Sequence, residues 1–283
     1  MKNQYYKYRS LYLPGNGNAK LVDTHTESIF SKAEIYFGVP TDFNDPFDCN
    51  LRTHVDNSTD AEWEAYLDEM MVLSPVSKAK LLQIKTGKLW KTNPALAADV
   101  GKDQQRKHYS ESSVLCLAKK RNSIPMFSYY ADRHCGIAIE FSFSDQEVPC
   151  GFTSQPTMPG GKPYDGKVVF RDVEYPPAFP ELNYHRIRNS DRLVRHLLFT
   201  KSLEWSHEKE FRIFRRGIPK SAVSFDPKLL TGVIFGCKTE SADIGLVKSW
   251  LKGWPSDVIL SKAEPATDKF ELLVNDFDIV KGT

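Results

Sequence analysis

Two glutamates stand two residues apart in the run Trp205-Ser206-His207-Glu208-Lys209-Glu210-Phe211-Arg212-Ile213-Phe214. If this run is a strand, alternate side chains share a face, so Glu208, Glu210 and Arg212 project one way and Lys209, Phe211 and Ile213 the other. Neighbouring carboxylates repel unless a cation, a ligand or a reaction offsets the cost. One fixed carboxylate can stabilise a developing cation and a second can act as base, which is chemistry this spacing could perform. An exposed sheet face on which the three charges merely pair or solvate accounts for the same pattern. Glu210, deeper in the strand beside Phe211 and Ile213, is the better-positioned carboxylate of the two.

A second group, Asn44-Asp45-Pro46-Phe47-Asp48, holds three oxygen-bearing side chains in five residues. Ahead of a proline, Asn44 and Asp45 suit a turn in which the side chain bonds the following backbone, so a structural role weighs at least as much as substrate contact. The segment Met126-Phe127-Ser128-Tyr129-Tyr130-Ala131-Asp132-Arg133-His134 brings Met126, Tyr129, Tyr130 and Arg133 together at helical spacing. Its phenols need hydrogen-bond partners wherever they are buried. The seven histidines show no HxH or HExxH spacing, and there is no GxGxxG, GxxxxGK[ST] or GxSxG. Zinc hydrolysis, dinucleotide binding of the Rossmann type, a P-loop and a nucleophile elbow therefore have no support. Lys119-Lys120-Arg121 forms a short basic knot before a helix start, suited to an anion or to solvent.

With 283 residues, 41% hydrophobic and 12% aromatic, the chain can bury a substantial core. Thirty-eight basic and 36 acidic residues leave a net charge of +2, which gives no global electrostatic case for nucleic acid or membrane partners. The N-terminal Met1 to Tyr8 lacks the apolar centre of a signal peptide, and no run reaches membrane-spanning length, so a cytoplasmic protein without membrane partner is expected. Five scattered cysteines with no CxxC pair read as inert thiols rather than a disulfide framework or a zinc site.

These groups require positioning elements. Alternation over residues 4–13 predicts an opening strand, and Thr24-x-x-Glu27 a capping box for the next helix. Short strands follow at 35–37 and 114–118. Between them, Thr59-x-x-Glu62 and the spacing of Trp63, Tyr66, Leu67 and Met70 open a helical insertion over about residues 59–110. Asn122-Ser123-Ile124-Pro125 starts a helix expected to run to His134 and to close at Gly136. Gly136 to Phe141 is an apolar strand, 144–166 a long Pro- and Gly-rich loop, 167–175 a strand, 180–203 a helix, and the tail alternates strand and helix. The order predicts a single α+β domain over residues 1–283, with a mixed, mostly antiparallel sheet core and the helical insertion.

Taken in order, Tyr6-Lys7-Tyr8-Arg9-Ser10-Leu11, Ile35-Tyr36-Phe37-x-x-Pro40-x-x-Phe43-Asn44-Asp45-Pro46-Phe47-Asp48, Val114-Leu115-Cys116-Leu117, Met126 to Ile137 and His207-Glu208-Lys209-Glu210-Phe211-Arg212 resemble a bacterial family known only as domain of unknown function 2971. In that family the positions of Phe127 and Tyr129 usually hold tryptophan and histidine. An arginine late in the first strand, a polar aromatic segment mid-chain and a Glu-x-Glu on a later strand are also similar to the ordered signature of the ADP-ribosyltransferase superfamily. The usual Ser-Thr-Ser strand is absent, with only Ser112-Ser113 nearby. This second resemblance implies that Arg9 holds an NAD phosphate or ribose, that Ser128 and Tyr130 shape the nicotinamide site, that Glu210 is the catalytic carboxylate and that Glu208 activates or orients the acceptor.

The resulting expectation is an enzyme that cleaves the nicotinamide–ribose bond of NAD, used as substrate without a metal, and transfers ADP-ribose to a protein or nucleic-acid acceptor. Asn44, Asp45, Asp48, Asp132 and Arg212 are further candidates for the pocket. Two other readings compete: a non-catalytic module in which the same residues bind a ligand, and a nuclease or hydrolase holding magnesium on Asp45, Asp48, Glu208 and Glu210.

Overall fold

The computed structural model describes residues 2–14, 20–50, 53–73, 77–93, 95, 112–144, 152, 168–188, 190–215 and 220–283. The chain is α+β and divides into two compact units. The first comprises Met1–Val39, Ser112–Val173 and Glu204–Thr283; the second comprises Pro40–Glu111 and Glu174–Leu203.

In the first unit, eight strands form one sheet: β1 (Asn3–Arg9), β3 (Ser113–Ala118), β4 (Ile137–Phe143), β5 (Val168–Asp172), β6 (Glu210–Arg215), β8 (Leu230–Phe235), β9 (Val258–Pro265) and β10 (Leu272–Val280). Their order is β10-β9-β8-β4-β1-β3-β6-β5. All neighbours are antiparallel except β8 and β9, which run parallel because helix α7 (Ser241–Trp250) carries the chain across between them. A separate two-stranded ladder joins β2 (Glu34–Phe37) to β7 (Ser221–Ser224).

The first strand shows both faces of the sheet. Tyr5 stacks on Phe143 at 4.5 Å and lies 4.4 Å from Phe211, within the larger core that also takes Ile29 and Phe30 of helix α1 (Thr24–Ser31), Val247 of α7 and Val223 of β7. Tyr6 and Tyr8 point the other way, into a smaller cluster with Ala118, Met126, Phe127 and Ile234. Because β4 is covered on both sides, every apolar residue in it is buried, as its continuous hydrophobic run predicts.

Several boundaries differ from the sequence pattern. Asp23, not Thr24, caps α1, its carboxylate accepting from the His25 amide at 3.0 Å. The helix from Ile124 stops at Tyr130 (α4), well short of His134. The single helix expected over 180–203 is two short ones, α5 (Tyr184–Ile187) and α6 (Asp191–Leu198). The end of the expected helical insertion, beyond residue 95, and most of the 144–166 loop lie outside the described residues.

The second unit is helical. Helix α2 (Asp60–Leu73) begins at the expected capping box: the Thr59 amide donates to Glu62 Oε2 at 2.8 Å and the Glu62 amide to Thr59 Oγ1 at 3.2 Å. With α3 (Lys78–Thr86) it buries Trp63, Tyr66, Leu67, Met70, Leu81, Ile84 and Trp90 together. His185 of α5 enters this cluster, 4.3 Å from the Trp63 ring and stacked at 4.8 Å on Tyr66, with neither ring nitrogen hydrogen-bonded.

Burial, reinforced by the charge of Arg188 and opposed by that of Glu62, lowers the His185 pKa from 6.5 to about 4. The fold therefore prefers the neutral ring. The stability this contributes is complete above pH 6.5, falls as the unfolded chain takes up the proton, and is exhausted near pH 4, a total of roughly 3 kcal/mol. Urea denaturation at pH 7 and pH 5 should show the wild type losing stability across that interval and His185→Phe losing less. Equal losses in both proteins would assign the acid sensitivity elsewhere.

Candidate active site

Helix α4 is held on the sheet by β1. The Tyr8 hydroxyl donates to the Lys120 carbonyl at 2.6 Å and accepts from the Ser123 amide at 3.3 Å, fixing the helix start, while the Tyr8 ring meets Phe127 edge-on at 4.9 Å. Ser123 is the cap residue and Pro125 sits in the first turn, where its missing N–H costs nothing. This places the C-terminal end of α4 against the 3-10 turn Leu203–Glu208.

Glu208 closes that turn and is not part of β6, which starts at Glu210. Lys209 between them has φ +46°, a left-handed conformation that a non-glycine residue seldom adopts. The two carboxylates are thus not alternate residues of one strand, and each has its own partner. The Tyr130 hydroxyl donates to Glu208 Oε1 at 2.7 Å. Glu210 accepts from Arg212 through both oxygens, Nε to Oε1 and Nη2 to Oε2, each at 2.8 Å, and both residues are buried. A fork of this kind is the strongest arrangement available to a carboxylate and a guanidinium. In register beside Arg212 lies Arg171 on β5, so two arginines stand directly opposite one another across the sheet edge.

Next to Glu208 the surface is aromatic. Tyr129, 69% exposed, lies 6.2 Å from the His207 ring, which lies 6.0 Å from Trp205. His207 therefore faces α4, and the strand alternation that would turn it away from Glu208 does not apply.

Arg9 does not join this group. It donates from Nη2 to Asp23 at 2.6 Å and from Nε to Thr26 at 3.0 Å, locking the start of α1. The cation that β1 does bring near the carboxylates is Lys7. Strands β1 and β3 share only the registered pair Tyr6 and Ala118, and Lys7 reaches across beyond it to donate to the Cys116 carbonyl at 3.0 Å. Burial lowers the Lys7 pKa; Arg9 lowers it further, and Glu210 and Glu208 oppose the shift. The Cys116 thiol is pushed up by burial and by Glu210, which makes it an unreactive thiol. Cys49, Cys116, Cys135 and Cys237 form no disulfide.

Among the remaining candidates, Ser128 lies 2.9 Å from His134 Nε2, and Asp132 is exposed with φ +44°. In the second unit, Asp45 Oδ1 accepts from the Phe47 amide at 2.9 Å, the turn that Asp-Pro suggests. Asp48 lies 3.4 Å from the Lys201 ammonium, both buried, while Asn44 is exposed and Phe47 is 58% exposed. Among the described residues no group of three or more His, Cys, Asp or Glu side chains is arranged to hold a metal ion, and no helix is long and apolar enough to cross a membrane.

Two glycines let the chain fold tightly behind α4. A Cβ on Gly236 would lie 2.1 Å from the His134 carbonyl oxygen, and one on Gly136 would lie 2.3 Å from that of Arg9. Both obstacles are backbone and cannot turn aside. Gly236→Ala should cost about 1–3 kcal/mol, read as a lowered thermal midpoint, whereas alanine at Gly245, with nothing within 4 Å, should not destabilise.

Sequence spacing alone missed Lys7, His134 and the strip of Tyr129, His207 and Trp205. The adjacency of His207 and Glu208 was the only local signal for the strip. No family model matches this chain, and neither a curated protein nor a solved structure matches it.

Proposed function

We propose that this chain is an ADP-ribosyltransferase-like enzyme that cleaves the nicotinamide–ribose bond of NAD and transfers ADP-ribose to an acceptor, with Glu208 as the catalytic carboxylate. The observation that carries the reading is the Tyr130–Glu208 bond at 2.7 Å beside the aromatic strip of Tyr129, His207 and Trp205. Breaking the bond builds positive charge on the ribose, and a carboxylate whose orientation is already fixed stabilises that charge without reorganising. Aromatic faces accept a flat heteroaromatic ring such as nicotinamide or adenine. Glu210, engaged through both oxygens by Arg212, is poorly placed to meet a second cation and is the element that holds the wall of the site. Lys7 takes over from Arg9 as the cation contributed by the first strand.

Incubation with NAD and quantification of released nicotinamide tests this reading. Turnover by the wild type that Glu208→Gln removes supports it. NAD that binds and is recovered unchanged would replace it by the ligand-binding reading, and NAD that neither binds nor reacts would sink both.

A further inference from the structure

We infer that Ser128 and His134 form a second, separate site, in which the Ser128 hydroxyl is a nucleophile toward acyl esters and the His134 imidazole is its base. Ser128 Oγ lies 2.9 Å from His134 Nε2, hydrogen-bond reach for proton transfer. One stacking contact and the fixed backbone of His134 position the imidazole, whose buried Nδ1 makes no hydrogen bond. Its ring stacks on Phe127, 5.9 Å between centroids and 15° between planes. Its carbonyl accepts from the Lys238 amide at 3.0 Å, and the close approach of Gly236 fixes the same oxygen.

The backbone that delivers His134 is strained. Asp132, Arg133 and His134 have φ of +44°, +51° and +74°, three successive non-glycine residues in the left-handed region. Each costs on the order of 1–3 kcal/mol unless the surroundings impose it, and such runs concentrate where a side chain must be aimed. An ordinary continuation of α4 would carry His134 up the helix; the left-handed run ends the helix at Tyr130 and turns the imidazole back onto Ser128.

Both side chains are only half-buried, so an electrophile can reach them from solvent. Burial, assisted by the charge of Lys238, lowers the His134 pKa, so the ring is neutral and able to accept a proton at pH 7. The exposed Lys238 ammonium, whose charge already acts on His134, supplies positive charge for the oxyanion of a tetrahedral intermediate.

In the tautomer protonated at Nδ1, the hydroxyl proton passes to Nε2 as Oγ bonds to the ester carbonyl carbon. The carbonyl π pair moves to oxygen, then returns as the carbon–alkoxide bond breaks, and the imidazolium gives its proton to the departing alkoxide. Water repeats the sequence to release the acid and restore the hydroxyl. The site is distinct from Glu208: Ser128 and Tyr130 are two residues apart on α4, about 200° around the helix axis.

The test is reaction of the full chain with an alkyl fluorophosphonate, which phosphonylates an activated serine oxygen with loss of fluoride and a proton. Peptide mass spectrometry should find the adduct on Ser128, and Ser128→Ala should remove it. His134→Gln should slow labelling about 100-fold or more, the usual contribution of a general base. Should that variant misfold, the wild-type rate against pH decides: it should rise through one ionisation below 6.5 and level off. An adduct absent from Ser128, a His134→Gln rate equal to wild type, or a rate that climbs with hydroxide and never levels would each overturn the assignment.

Discussion

Replacing Glu210 by glutamine should destabilise the protein by about 3–5 kcal/mol, even though the new side chain has nearly the same shape. Arg212 is 1% exposed and its guanidinium gives two parallel bonds to Glu210. Removing the carboxylate charge weakens both contacts while the guanidinium stays buried, and a guanidinium cannot escape by deprotonating. Arg212→Met in the wild-type background should cost a similar amount, because it leaves Glu210 buried without the fork. The double variant should lose less than the sum of the two single variants, since each side chain answers the other's charge. Urea unfolding of the four proteins checks this. Additive losses in the double variant would mean that the two side chains act separately.

Glu208→Gln should reduce nicotinamide release from NAD by about 10²–10³-fold, the effect of removing one preorganised electrostatic group. The amide keeps an acceptor for the Tyr130 hydroxyl, so position is retained and charge is lost. Tyr130→Phe separates the two contributions: Glu208 keeps its charge but loses its 2.7 Å tether, which should reduce turnover by a smaller factor. The variants report on different groups, so a chain in which Glu210→Gln alone abolishes turnover at full stability would return the catalytic role to Glu210.

The sheet was legible because its signals are local. The apolar runs of β3, β4 and β8 need no partner to be recognised, and the Thr59–Glu62 box closes over a single helical turn. The site was legible only as a neighbourhood. Glu208, Glu210, Arg212 and Tyr130 do gather, but the alternation that grouped the first three fails at Lys209, because nothing in a lysine signals a left-handed backbone. Arg9 was assigned from strand position alone; Asp23, its partner, lies 14 residues on and follows from tertiary structure. Lys7 gains its place from the parting of β1 and β3, a property of the topology and not of any window of sequence.

The division of the second unit between Pro40–Glu111 and Glu174–Leu203 bears on how the chain is made. During synthesis α2 and α3 emerge with Trp63 and Tyr66 before Tyr184 and His185 exist to cover them. Strands β3, β4 and β5 are translated in the interval. Their folding must either leave the incomplete helical unit waiting or bring its second segment home, and closing a loop of roughly 60 residues costs on the order of 3–4 kcal/mol in chain entropy. No contiguous fragment of the gene encodes that unit alone, so a truncation anywhere between Glu111 and Glu174 would yield helices with an exposed aromatic face, a species inclined to aggregate and to be captured by chaperones.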